Sequence, residues 1–165
     1  MAKQKMLADL FEDGLKDIFF AEKKILTALP KMAKAARSKD LKAAFEKHAV
    51  ETEAQVGRLE QIFKALDKPA RGKNCPAILG IIEEGQEVLK EYKGSPALDA
   101  GLIAAAQSVE HYEISRYGTL RAWAEELGMS TAADLLGNTL AEEEKTDEDL
   151  SALAESAINQ QAEAA

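Results

Sequence analysis

The 165-residue chain is long enough for one domain with a sizeable core. Abundant Ala, Glu, Lys and Leu, with 5% aromatics and four prolines, point to an all-helical protein. A formal charge of −8 argues against sequence-independent binding to nucleic acid or an anionic membrane, and no apolar run approaches a membrane-spanning length.

The first helix is expected over residues 3–36, with a break or kink at Pro30, where a backbone donor is missing. The leading MAKQKM lacks the apolar core of a secretory signal, so the cytoplasm is the expected compartment. Arg37-Ser38-Lys39 reads as a turn, with Ser38 the N-cap of a second helix that runs to about Leu66. Residues 67–95 read as a connection with its own short helix, opened by Pro76 and closed around Gly94. Cys75, the single cysteine, can form no intramolecular disulfide and reads as an unremarkable loop thiol. Ser95-Pro96 is expected to start the third helix as N-cap and first residue, and Gly128 to end it. Ser130 then caps a fourth helix reaching about Asn159, and the tail from about 160 to 165 is expected to be disordered. Two short-loop hairpins joined by one long connection give a single domain over 1–165. Its expected architecture is the up-down four-helix bundle of ferritin-like folds, with an extra short helix in the crossover.

Each long helix carries an apolar seam at heptad spacing, and acids interrupt these seams. The first runs Leu15, Ile18, Glu22, Ile25, Leu29. The second runs Phe45, His48, Thr52, Gln55, Leu59, Ile62, with Glu51 beside it. The third runs Ile103, Ala106, Glu110, Glu113, Tyr117, Leu120. The fourth runs Leu136, Thr139, Glu143, Thr146, Leu150, Leu153, with Glu142 in the flanking place. No seam position holds Lys or Arg, so these carboxylates must protonate or recruit a cation once buried.

Dinuclear iron and manganese bundles take one Glu from each of two helices and a Glu with a His three residues later from the other two. Such hard ions prefer oxygen and imidazole donors. Glu22 and Glu110 fill the single-Glu roles, and Glu51 and Glu142 the paired ones. The usual histidines are missing, because Ala54 and Lys145 stand in their places. His48, three residues before Glu51, and Glu113, three after Glu110, remain on the same helix faces and are expected on opposite sides of the carboxylates, one for each metal. In the fourth helix an internal repeat pairs His48, Glu51 and Gln55 with Thr139, Glu142 and Thr146 and so favours Glu142, whereas the strict heptad favours Glu143. Asp147 is a more distant choice. Gln55 and Thr146 suit hydrogen bonding that orients the carboxylates. Tyr117 is expected to pack in the core near the metals, Trp123 to be a hydrophobic anchor of the bundle or a dimer interface, and His111 to face outward.

The segments LKDIFFAEKKILTALPKMAKAA, LKAAFEKHAVETEAQVGRLE, AAQSVEHYEISRYGTLRAWAEELG and TLAEEEKTDEDL resemble the YciE/YciF-type ferritin-like proteins, a bacterial family associated with stress responses. The resemblance covers nearly the whole chain. It implies a homodimer and a dinuclear iron site of rubrerythrin type on Glu22, Glu51, Glu110 and Glu142 or Glu143. The leading expectation is therefore a stress protein binding two iron ions, or alternatively manganese, with peroxide-scavenging or ferroxidase-type activity. The alternative is a metal-binding or structural stress protein without turnover. Partners are expected to be metal ions and a second copy of the chain, with no nucleic acid and no membrane.

Overall fold

A computed structural model describes residues 4–164, which form helices and turns with no strand among them. The helices are α1 (Leu7–Ala35), α2 (Lys39–Ala65), α3 (Pro76–Glu91), α4 (Leu98–Glu126) and α5 (Ser130–Leu153). A π-helical turn, Ala154–Ile158, leads into α6 (Asn159–Glu163), so the helical run continues past the expected end near Asn159. In the bundle α1 packs on α2 and α4, and α5 packs on α4 and α2. The crossover helix α3 lies against α4 and α1. No helix among the described residues is long and apolar enough to cross a membrane.

The heptad seams are the core. Every residue of the first three seams is buried, as are Leu136, Thr139, Glu143 and Leu150 of the fourth. The apolar members remove enough surface from water to drive assembly, since a fully buried Leu, Ile or Phe is worth about 1.5–3 kcal/mol. Phe19 of α1 and Phe63 of α2 meet edge to face, 5.6 Å between ring centres.

Several ends differ from expectation. Helix α1 runs through Pro30 without a break and starts at Leu7, where the Asp9 carboxylate accepts the Met6 amide at 2.9 Å. Ser38 caps α2 as expected, accepting the Leu41 amide. Ser95, however, accepts the amide of Ala97, which puts residues 96–97 in a turn and makes Ala97 the N-cap of α4. Met129, not Ser130, occupies the N-cap of α5. Cys75 is not a loop thiol: it is buried and caps α3, its Sγ accepting the Ile78 amide and lying 3.0 Å from the Tyr112 hydroxyl.

Asp99, which sequence reading overlooked, joins the two hairpins. Its buried carboxylate accepts the Arg37 amide at 2.9 Å and the Ser38 amide at 2.7 Å, so the first turn of α4 holds the α1–α2 connection. Replacing Asp99 by Ala strands two amides, and hydrogen bonds to charged groups are worth about 1.5–3 kcal/mol. Asp99→Ala should therefore cost at least about 2 kcal/mol in urea unfolding. A loss below half of that would show that water replaces the carboxylate.

Candidate metal centre

Halfway along the bundle the four seams deliver polar groups to one place. Ligand atoms of His48 (α2), Glu110 and Glu113 (α4) and Glu143 (α5) all lie within 4.8 Å of one another, and all four residues are buried. His48 Nε2 is 3.2 Å from Glu110 Oε1 and 3.7 Å from Glu143 Oε2. His48 and Glu113, expected on opposite sides of the carboxylates, thus converge on one position. Glu22 of α1 adjoins them: it is fully buried, and its carboxyl is close enough to Glu113 for each to shift the other.

The polar bookkeeping of the protein fails at this place. Among the described residues, the buried side-chain nitrogens and oxygens without a hydrogen-bond partner are Glu22 Oε2, both ring nitrogens of His48, Gln55 Oε1, Glu110 Oε2, both carboxyl oxygens of Glu113 and Glu143 Oε2. Buried polar groups are ordinarily paired, and each orphan costs about 1–3 kcal/mol, more when charged. A bound cation satisfies carboxylate and imidazole lone pairs together, so the donor set fits a metal of the hard or borderline kind.

Electrostatics point the same way. Burial drives the Glu22 carboxyl up to about 7, although the Tyr117 hydroxyl and His48 oppose it. Burial, with Glu110 adding to it, pushes Glu143 up to about 10, and Glu113 is raised well above the ordinary carboxylate range by burial and then by Glu22, Glu143 and Glu110. Burial pulls His48 down, but the Glu110, Glu51 and Glu143 carboxylates outweigh it and lift the imidazole to about 11. Protons therefore occupy the metal-free cluster, and binding a cation must expel them.

The flanking acids behave differently from the seam acids. Glu142, favoured by the internal repeat, does not enter the cluster. It receives both Nη atoms of Arg58 at 2.7 Å, and Arg58 also donates to Thr139 at 3.1 Å. Burial raises the Glu142 carboxyl, but Arg58 and Gln55 more than offset this and hold it below the ordinary value. Glu51, its counterpart in the repeat, sits in the same rim position. Its Oε1 is 3.2 Å from Lys47 Nζ and its Oε2 is 3.6 Å from His48 Nδ1, and chiefly His48 keeps it below the usual range. The repeat is thus real in register, and it equates two rim carboxylates rather than two members of the cluster. In the seam itself Thr52 stands where α5 has Glu143, Ile25 where α4 has Glu113, and Thr139 where α2 has His48. The polar groups are therefore concentrated asymmetrically.

Gln55 plays the expected orienting part, donating through Nε2 to Glu143 Oε1 and, at 3.0 Å, to Glu142 Oε2. Arg58 was missed because it lies beside the seam, three residues after Gln55; its signal is the seven-residue spacing from Glu51, which puts it on the same flank one heptad along. Tyr117 does more than pack, since its hydroxyl donates to Glu22 Oε1. Thr146 lines a gap beside His48 and Glu51. His111 and Asp147 pair at 3.1 Å on the outer face, away from the cluster. Because the Tyr117 hydroxyl opposes the rise of Glu22, Tyr117→Phe should move the Glu22 titration above about 7 in carboxyl NMR of metal-free protein. An unchanged midpoint would deny that hydrogen bond.

Comparison with known proteins agrees with this fold. The family described as a domain of unknown function, DUF892, matches residues 6–163. Protein YciF of Escherichia coli is 42% identical over 160 residues, 96% of each chain. The crystal structure of the E. coli stress protein YciF superposes with a TM-score of 0.90 over 94% of this chain and 99% of that one. YcfI of Rhodopseudomonas palustris, 44% identical, gives 0.86 over 92% of this chain and 97% of its own.

Proposed function

The chain belongs to the DUF892 family, with a ferritin-like helical bundle and a buried His/Glu cluster able to hold a metal, and from this we propose that it is a dinuclear-metal stress protein. The observation that carries the proposal is the concentration of unpartnered buried ligand atoms in that cluster. His48, Glu110 and Glu143 would hold one ion and Glu22 a second, with Glu113, which faces both groups, shared between them. Iron suits the imidazole and carboxylate donors, and manganese is the alternative. Two ferrous ions would supply two electrons either to dioxygen, 2 Fe²⁺ + O₂ + 2 H⁺ → 2 Fe³⁺ + H₂O₂, or to peroxide, 2 Fe²⁺ + H₂O₂ + 2 H⁺ → 2 Fe³⁺ + 2 H₂O.

The chain's own groups do the rest. Gln55 fixes the plane of Glu143, and Arg58 anchors Glu142 so that the Gln55 amide keeps its donor directed inward. Tyr117 donates to Glu22 Oε1 and so orients that carboxyl, while burial and the surrounding carboxylates hold its own proton in place. The buried seam residues one turn away, Ile18, Ile25, Ala106 and Leu59, keep water out and strengthen the interactions inside.

A second reading, a structural stress protein without metal turnover, is favoured by one observation: a protonated His48 beside Glu110 and Glu143 already neutralises part of the cluster. Anaerobic titration with ferrous iron followed by dioxygen or peroxide separates the two. Two ions bound per chain and rapid oxidation support the first reading; no binding leaves the second.

A further inference from the structure

Two gaps reach Glu110 from different sides of the bundle, and they differ in chemistry. One, beside His48, is walled by Leu29, Phe45, Ala106 and Leu150 but also carries Lys47, Glu51, Thr146 and Asp149. The other lies between α1, α3 and α4, where Met32, Ile82, Leu89 and Val109 wall it. Apart from Lys31 and Gln86 at its outer part, Glu110 is its one polar lining residue. Glu110 Oε2 is itself buried and without a partner.

The geometry points to the apolar gap as a binding site for dioxygen, through which the gas reaches Glu110; the inference rests on the metal reading above. Size favours a small occupant: the gap, which opens to solvent past Lys31 and Gln86, holds about 40 Å³, whereas a closed cavity that takes benzene measures ~150 Å³. Chemistry disfavours ions, which cannot leave water for an apolar wall, and gives water in the inner part only the Glu110 carboxylate as a partner, where an ordered water needs about two to four. A small uncharged diatomic meets both limits. The room exists because small residues, Ala28, Gly85, Ala105 and Ala106, stand where the three helices meet. A Cβ on Gly85 would meet the Ala105 methyl at 3.5 Å, so side chains added there fill the gap without displacing backbone. On this inference α3 is more than a connection: it forms the outer wall of the gas site.

Dissolved dioxygen is paramagnetic, so the test uses metal-free protein under dioxygen pressure and methyl NMR. Met32, Ile82 and Val109 should relax severalfold faster than Leu26 and Leu140, which are partly buried like them but lie outside the gap, and Gly85→Leu should abolish the difference. Uniform relaxation across these methyls would overturn the inference. A second arm uses iron-loaded protein. Gly85→Leu should slow oxidation by dioxygen about tenfold while leaving oxidation by peroxide unchanged, and Gly80→Leu, on an open face of the same helix, should leave both unchanged. Equal slowing with both oxidants overturns it. Failure to bind iron refutes the metal reading alone, since the NMR arm still decides the gas site.

Discussion

Metal-free protein is expected to lose stability as pH rises from about 5 to 8, by more than about 2 kcal/mol, and a bound divalent cation to reverse the trend. The folded carboxyls of Glu22, Glu113 and Glu143 keep their protons above the ordinary value of 4.5, chiefly because burial disfavours the charge. The unfolded chain releases those protons near 4.5, so it binds fewer protons than the folded one and stability falls with pH. The loss from Glu22 ends near 7, and that from Glu143 continues towards about 10. His48 adds to it, because its stabilisation is complete below 6.5 and is lost as pH rises towards about 11. Glu51 and Glu142 have the opposite sign, but their lowered values act only below about 4.5, outside this range. A cation needs the deprotonated ligands, so its affinity and the stabilisation it confers both grow with pH. Thermal unfolding at fixed ionic strength with and without Mn²⁺ measures both trends. A metal-free midpoint that holds steady or rises between pH 5 and 8 would contradict the picture of buried, proton-filled carboxyls.

Glu143→Gln and Glu142→Gln are adjacent substitutions with opposite expected outcomes. Glu143 is fully buried, carries an unpartnered oxygen and points into the cluster. Its amide should weaken Mn²⁺ binding by more than about 100-fold, since even residues that only orient metal ligands cost 10–100-fold. The same change should raise the midpoint of the metal-free protein, because burial and Glu110 force the carboxyl to hold a proton that the unfolded chain releases, a cost the amide avoids. Glu142→Gln removes a partly exposed ion pair with Arg58, worth about 1 kcal/mol or less. It should reduce affinity by no more than about tenfold, through a looser Gln55. Calorimetric titration of both variants decides the point. If Glu142→Gln were the one to abolish binding, α5 would have to present its other acid to the centre.

The fold was legible because heptad spacing is a direct consequence of helix geometry. Seam residues such as Leu15, Phe45, Ile103 and Leu136 are buried where that spacing puts them. The acids Glu22, Glu110 and Glu113 were legible for the same reason. Choosing between Glu142 and Glu143 needed a fact that one helix cannot contain, namely that Arg58 of α2 lies across from the rim of α5. The internal repeat favoured Glu142 because it preserves rim positions as faithfully as seam positions. Helix starts at 98 and 130 were shifted because short turns compete with side-chain caps, as the Ser95–Ala97 contact shows. The Asp99 staple and the Cys75–Tyr112 contact join residues more than 35 positions apart, and nothing local announces either.

The central claim is that the buried cluster is a metal centre, and anomalous diffraction from crystals soaked anaerobically with Mn²⁺ or ferrous iron tests it most directly. One peak is expected enclosed by His48, Glu110 and Glu143 and a second against Glu22, with Glu113 between them. Anomalous density confined to surface carboxylates, with the cluster left bare at saturating metal, would contradict it.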